Sequence, residues 1–304
     1  MSTAYHIPVM LHESVDILGV KPDGVYVDAT LGGGGHSRAI LSRLGAEGRL
    51  ICFDMDSDAI ANAPEDSRVT AVRSNFRFIH NYVRYLGHSS GVDGIIADLG
   101  VSSHQFDTPE RGFSFRFDAD IDMRMNTSSG QSAADLLNSC DEQRLADILR
   151  IYGEVENSRR TAALICSARA KSPITTTAAL NAAVAPVLPA AAPHKTLAKI
   201  YQALRIEVNG EMRSLEHLLR GILASLKPGG TAAVITYHSL EDRMVKNFFR
   251  TGNIEGKDTA DLYGRRRSPF TVITRKPVLP TEAEVMQNTR ARSAKLRAAS
   301  RSEL

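Results

Sequence analysis

Val25-Tyr26-Val27-Asp28-Ala29-Thr30-Leu31-Gly32-Gly33-Gly34-Gly35-His36-Ser37 is the stretch whose pattern sets the fold. A short β-branched and aromatic run ends in an acid, and glycines follow. Apolar residues then return at helical spacing at Ala39, Ile40, Leu41 and Leu44. A strand, a glycine turn where the backbone must bend tightly, and a helix together open a doubly wound α/β unit. The rhythm repeats downstream. Residues 50–53 form a second strand pattern ending at Asp54, and a helix from about Ser57 follows. A third strand pattern covers 69–72 and a helix 78–86; the fourth strand, 92–97, ends at Asp98. Strands separated by single helices predict a mostly parallel sheet covered on both faces.

After Asp98 the alternation stops. The next strand pattern is 231–236, introduced by Lys227-Pro228-Gly229-Gly230, which reads as a helix stop and turn. A parallel crossover needs far fewer residues than separate these two strands. The intervening sequence is mostly helical in pattern. Ser132-x-x-Asp135 fits a capping box, and 142–152 and 158–170 carry helical spacing. The apolar run 178–193 is broken by Pro186, Pro189 and Pro193 and cannot be one helix. The expected organisation is an α/β domain formed by residues 1–103 and 207–304, with a helical domain, 104–206, inserted for substrate recognition. A helix carrying Met212, Leu215, Leu219, Ile222 and Leu226 leads back to the sheet, which strand 231–236, helix 240–249 and strand 270–274 complete.

The 304 residues, 43% apolar and 23% charged, suffice for a large core and exclude a disordered or fibrous chain. Three cysteines, Cys52, Cys140 and Cys166, include no Cys-x-x-Cys pair. That excludes a disulfide framework or zinc ribbon and points to a reducing compartment. No segment reads as a signal peptide or membrane span, so a soluble cytoplasmic protein without membrane attachment is expected. The net charge of +3 hides an asymmetry: residues 243–304 hold 14 Lys/Arg against 6 Asp/Glu, and the rest hold 23 against 28. A basic tail fits a polyanionic partner or a solvated basic surface.

Doubly wound sheets bind ligands beyond the carboxyl ends of their strands. Asp28, Asp54 and Asp98 stand at three such ends. Helix capping would explain any one of them; three beside a glycine run point to a nucleotide-type cofactor. Asp54 lies where a second-strand acid accepts both ribose hydroxyls of a nucleoside. Charge narrows the choice. A dinucleotide places pyrophosphate on the first helix and requires Gly-x-Gly-x-x-Gly, yet Ser37 stands where the last glycine belongs, and Asp28 would repel phosphate. No Gly-Lys-Ser/Thr follows the glycines, so a Walker loop fails too. S-adenosylmethionine (SAM) has no phosphate and carries a sulfonium and an ammonium, which suit acids at three strand ends.

Other segments carry polar groups without an obvious packing role. Ser239-x-x-Asp242 fits a capping box, which makes Ser239 and Asp242 structural. His238 reads either as an acid–base residue or as a hydrogen-bonded core histidine. His36 opens a helix beside the cofactor. Arg111 to Arg116, with Asp118, Asp120 and Asp122-Met123-Arg124-Met125, is too polar for simple packing and suits a substrate pocket. Its acids lack a fixed ligand spacing, so no metal is assigned.

Gly32 to Ser37, Asp98 to Gln105, Arg111 to Arg116 with Asp122 to Met125, Gln202-Ala-Leu-Arg-Ile-Glu-Val-Asn209, His238 to Arg243 and Arg290-Ala-Arg-Ser-Ala-Lys-Leu-Arg297 follow one another in order. Together with His6-Ile7-Pro8-Val9 they resemble the bacterial 16S rRNA (cytosine-N4)-methyltransferase family over nearly the whole chain. The resemblance implies a class I SAM-dependent methyltransferase fold, Rossmann-like, with an inserted helical domain. It also implies methylation from SAM of the exocyclic amine of a cytidine in the decoding region of small-subunit rRNA. By motif, Gly34, Gly35, His36, Asp54, Phe76, Asp98 and Gln105 would contact SAM, Phe76 against the adenine face. Asp98 is the first candidate to accept the amine proton and His238 the second. Arg111, Arg116 and Arg124, with Arg290, Arg292, Lys295 and Arg297 of the tail, would hold the RNA of the small ribosomal subunit. Asp120-Ile121, Val155 and Thr289 depart from the family's usual Pro-Leu, Glu and Pro, at positions that bear on RNA contact and not on the cofactor. An NAD-dependent dehydrogenase and a non-catalytic RNA-binding factor are the rival readings. A homodimer is compatible with the sequence, which does not set the oligomeric state.

Overall fold

The computed structural model describes residues 8–102, 106, 108–257 and 268–303. The chain separates into two compact units, one formed by residues up to 100 and from 212 onward, the other by residues 101–211. No helix among the described residues is long and apolar enough to cross a membrane.

The first unit is built on seven strands: β1 Val25–Asp28, β2 Arg49–Asp54, β3 Val69–Arg73, β4 Val92–Asp98, β5 Leu226–Thr236, β6 Phe270–Val272 and β7 Lys295–Arg301. Their order is β3-β2-β1-β4-β5-β7-β6. Pairing is parallel from β3 through β5, and β7 runs antiparallel to both β5 and β6. This is the Rossmann-like, mostly parallel sheet expected from the sequence.

Successive side chains on a strand point to opposite faces, and here both faces are buried. Val27, Ile51, Phe53, Ile95, Ala97 and Val234 pack on one side against Ile79, Leu215, Leu219, Ile222 and Phe248. Tyr26, Leu50, Cys52, Ile96 and Ile235 pack on the other against Val15, Leu18 and Ile40. Burial on both faces explains why these strands read as apolar runs and not as alternating ones.

Two features differ from expectation. Lys227 to Gly230 lie within β5: Val92 pairs with Leu226 while Gly94 pairs with Thr231, so these residues bulge out of the ladder and Gly229 takes a positive φ of 76°. The basic segment Lys295–Arg301 is a strand between β5 and β6 and not a tail, with Arg297 paired to Val234. Alanine is depleted in strands, and Lys-Leu-Arg-Ala-Ala-Ser-Arg lacks the β-branched signature.

The second unit has its own core, in which Leu145, Ile148, Leu149, Ile165, Leu180 and Leu204 are buried. Ser132 caps the helix Ala133–Ser139 in a reciprocal box with Asp135, as its spacing predicts. The proline-rich run resolves into helix Thr177–Val184, a short 3₁₀ turn and helix Pro193–Asn209, with Pro193 at the start of the last, where its missing N–H costs nothing.

Candidate active site

Register places the three strand-end acids at different depths. Asp28 pairs with Cys52 on β2 and with Ile96 on β4, so Asp54 and Asp98 each stand two residues further along their strands. The chain after β1 keeps hooking to both neighbours, through Ala29 N–H to the Ile96 carbonyl (2.9 Å) and Leu31 N–H to the Phe53 carbonyl (2.8 Å). Asp28 therefore lies beneath the loop and is only 1% exposed. One of its oxygens accepts from Thr30 N–H at 3.1 Å and the other from the Ser37 hydroxyl at 2.6 Å. Burial raises its pKa against the hydrogen bonds that lower it. Asp28 thus anchors the loop and does not front a ligand, which corrects its grouping with the other two acids. Ser37 stands where a dinucleotide fingerprint needs glycine because its hydroxyl ties the helix to Asp28. The Ser37 proton goes to Asp28, which leaves the buried Cys52 thiol, 3.2 Å away, as the donor to Ser37. Burial pushes that thiol up to about 12, so it stays protonated.

Asp54 shapes the glycine loop. Its carboxylate accepts from Gly32 N–H and Asp56 N–H, both at 2.9 Å, one on each oxygen. Gly32 (φ 50°) and Gly34 (φ 74°) sit in the left-handed region that side-chain-bearing residues rarely adopt. Gly35 is needed for space: a Cβ there would meet Pro8 Cγ at 2.0 Å. Arg38 donates to the carbonyls of Gly33 (2.6 Å) and Asn62 (3.1 Å), and Asn62 donates to Gly32 (3.1 Å), so the loop is held from both sides.

At the mouth of β4, Asp98 N–H donates to Thr30 Oγ1 at 2.7 Å, and its carboxylate Oδ1 accepts from the Tyr237 hydroxyl at 2.7 Å. No other side chain among the described residues bonds that carboxylate. Burial raises Asp98 to about 6, partly offset by His36 and Tyr237. Tyr237, with its own pKa raised well above ordinary by burial and by Asp98, stays a donor. Sequence reasoning gave Tyr237 no role. The usable signal was that it directly follows β5 as Asp98 ends β4, and parallel pairing of these strands puts the two ends side by side.

His36 is buried and donates through Nε2 to the Val9 carbonyl at 3.2 Å; burial lowers its pKa, so the ring is neutral. Phe76, half-buried, opens a 3₁₀ turn after β3, where the Asn75 side chain accepts from Arg77 N–H. Gln105, His6 and Arg265 to Arg267 lie outside the described residues.

His238 faces Glu241 with both ring nitrogens. Nδ1 accepts from Glu241 N–H at 3.4 Å, capping helix Ser239–Thr251, and Nε2 stands 3.2 Å from Glu241 Oε1. Nδ1 thus acts as a cap, while the buried Nε2 makes no hydrogen bond among the described residues. Ser239 is not the cap, and Asp242 instead grips Arg297 through two bonds of 2.6 and 3.2 Å. Arg297 is 6% exposed, so its expected place among the RNA contacts is corrected: its charge is used inside the protein. Lys295 approaches the same Asp242 at 3.6 Å, while Arg290 and Arg292 are exposed.

In the second unit, Arg111 donates to the carbonyls of Arg124 (3.0 Å) and Met125 (3.2 Å), and Arg124 forms a two-pronged pair with Asp122 (2.8 and 2.7 Å). Asn209 bonds Met125 N–H and the Met123 carbonyl, both at 2.8 Å. The Arg111 and Asp122–Met125 motifs thus stitch a loop together. Arg116 is exposed.

The first unit's site accordingly presents two carboxylates, Asp54 and Asp98, each raised to about 6 by burial, a neutral His36 and a glycine loop without side chains. Burial of both acids makes their charge costly unless a cation or hydroxyl donors face them. That donor set fits SAM: the Asp54 carboxylate can accept from ribose hydroxyls, and Asp98 favours positive charge. Removing Asp54 (Asp54→Ala) deletes two charged hydrogen bonds to the ribose, each worth about 1.5–3 kcal/mol net, and loosens the loop. SAM affinity measured by calorimetry is expected to fall by at least about 100-fold with the fold retained; unchanged affinity would remove Asp54 from the site.

The model of the MraW methylase family matches residues 3–302. Ribosomal RNA small subunit methyltransferase H of Parabacteroides distasonis is 54% identical over 297 residues, spanning 98% of this chain and 97% of that protein. The protein of the same name from Bacteroides fragilis is 55% identical over 298 residues, with 98% and 97% covered. That of Flavobacterium johnsoniae is 52% identical over 295 residues, with 97% of each covered. With the doubly wound sheet, the tied glycine loop and the paired acids already in place, this similarity along its length makes the chain a member of the MraW methylase family.

Proposed function

We propose that this protein transfers a methyl group from SAM to the exocyclic N4 amine of a cytidine in the decoding region of 16S rRNA. The observation that carries the reading is Asp98, a carboxylate at the mouth of β4 held on one oxygen by Tyr237 and raised to about 6 by burial. The cytosine amine is a weak nucleophile because its lone pair is delocalised into the ring. A carboxylate that accepts an amine hydrogen bond returns electron density to nitrogen and receives the proton as the new N–C bond forms. SAM, when bound, supplies the electrophilic methyl on a sulfonium. Tyr237 fixes the Asp98 carboxylate, Thr30 fixes its backbone, and Asp54 with Gly32 to Gly35 holds the loop rigid. Positioning of this kind can contribute roughly 7–11 kcal/mol to a two-substrate reaction. The target base must leave its stack to reach the strand ends. The names of the relatives support a small-subunit rRNA substrate, and the exposed Arg116, Arg290 and Arg292, with the half-buried Lys295, suit a polyanion. Residues 101–211 are assigned to recognising it.

The test is transfer of radiolabelled methyl from SAM to small subunits, and to free 16S rRNA, from cells lacking the gene. Nucleoside mass spectrometry is expected to find N4-methylcytidine at one decoding-region position. Folded, SAM-binding protein that labels neither substrate would overturn the reading, and label on another atom would correct the acceptor.

A further inference from the structure

A cavity of about 470 Å³ lies between helix Ser239–Thr251 and the β6–β7 end of the sheet. Every charged residue lining it is a cation: Lys246, Arg250, Arg275 and Arg297. Half-buried Val272 supplies the apolar wall, and Phe249, which also lines the cavity, is only 2% exposed. Lys246, Arg250 and Arg275 are exposed at its rim. Arg297 is different, since it is buried by the sheet. Its Nε and Nη2 are committed to Asp242, and its third nitrogen, Nη1, makes no hydrogen bond among the described residues. None of these cations belongs to the methyl-donor site, which lies at the carboxyl ends of β1, β2 and β4.

The volume falls within the ~300–1,000 Å³ of sites that take small organic ligands. A bare inorganic anion would meet the cations but leave the apolar wall unfilled. Apolar ligands would leave the rim charges unanswered. A group with a flat heterocycle joined to a phosphate satisfies both, because guanidinium and ammonium groups bind phosphate while the ring packs on the wall.

We propose that this cavity is a nucleotide subsite that takes one unpaired nucleotide of an RNA strand, its base against Val272 and its phosphate on Lys246, Arg250 and Arg275. The inference rests on the proposed RNA substrate and deepens it: the enzyme grips the strand at a second point, away from the base it methylates. A free nucleoside monophosphate offers the same chemistry, so the test separates the two sources.

Heptauridylate is the probe, since uridine lacks the N4 amine and cannot enter the reaction as acceptor. Its binding to the full chain is followed by fluorescence anisotropy, alongside the double variant Lys246→Gln/Arg275→Gln. Both residues are exposed, so the variant is expected to melt like the parent and to bind SAM unchanged. Affinity for heptauridylate is expected to fall at least tenfold at low salt, and the salt slope to drop by about 0.7 as the one bound phosphate loses its contacts. Heptauridylate carrying one 4-thiouridine is expected to crosslink to residues 246–250 or 272–275. Equal affinity of parent and variant, or crosslinks confined to other segments, would overturn the proposal. Uridine 5′-monophosphate competing as strongly as the heptamer would also overturn it as an RNA subsite and assign the cavity to free nucleotides. Failure of the proposed function has a different signature: no methyl reaches rRNA while the variant still loses heptauridylate.

Discussion

Replacing Asp98 by asparagine is expected to lower kcat/KM for methyl transfer by roughly 10³-fold, within the 10²–10⁴ range of a lost general base. Asparagine keeps the volume, and its oxygen can still accept from the Tyr237 hydroxyl, so the fold survives. Its amide places a donor where the reacting amine needs an acceptor. The parent enzyme has a second signature. Asp98 is raised to about 6, and only its ionised form can accept, so kcat/KM is expected to rise with pH through about 6 and level off above. Tyr237→Phe removes a hydrogen bond that lowers this pKa, so its profile is expected to shift to higher pH while losing about tenfold in rate. Activity of the Asp98→Asn variant within tenfold of the parent, with an unchanged pH profile, would reassign Asp98 to cofactor binding alone.

Arg297→Met is expected to destabilise the fold by about 3–5 kcal/mol, the cost of leaving a buried partner charge unpaired. The Arg297 side chain is 8% exposed and that of Asp242 14%. Burial by itself would raise the Asp242 carboxyl, but Arg297 and Lys295 outweigh it and hold the group below its ordinary value. Without Arg297 that balance reverses. The thermal midpoint is expected to fall by roughly 10 °C, whereas Arg292→Gln, which alters an exposed side chain, should leave it unchanged. Pairing Arg297→Met with Asp242→Leu should restore most of the loss, since both charges then go. An unmoved midpoint in Arg297→Met would return this residue to the solvated surface.

The contrast between Asp54 and Arg297 shows what could be read in advance. Asp54 ends an apolar run and precedes a helix, so its place at a strand end follows from neighbours within a few residues. Asp98 is legible for the same reason, and so are the glycines, because a tight turn leaves a local chemical mark. Arg297 sits among basic residues in an alanine-rich segment, and nothing nearby in sequence names Asp242, 55 positions earlier, as its partner. His238 reads as open to chemistry because a histidine cap is uncommon beside a Ser-x-x-Asp box; only the helix start shows which residue accepts from Glu241.

The amino-acid sequence by itself determined the strand and helix alternation, the glycine loop, the helical interruption after Asp98 and the acids at the strand ends. Each of these depends on periodicity or turn chemistry over short stretches. The tertiary structure alone decided that Asp28 is a buried anchor, that Tyr237 holds Asp98, and that Lys295–Arg301 is a strand between β5 and β6 with Arg297 turned inward. Those outcomes depend on register and on partners brought together from distant positions, where burial converts an ordinary charge into either an ion pair or a raised pKa.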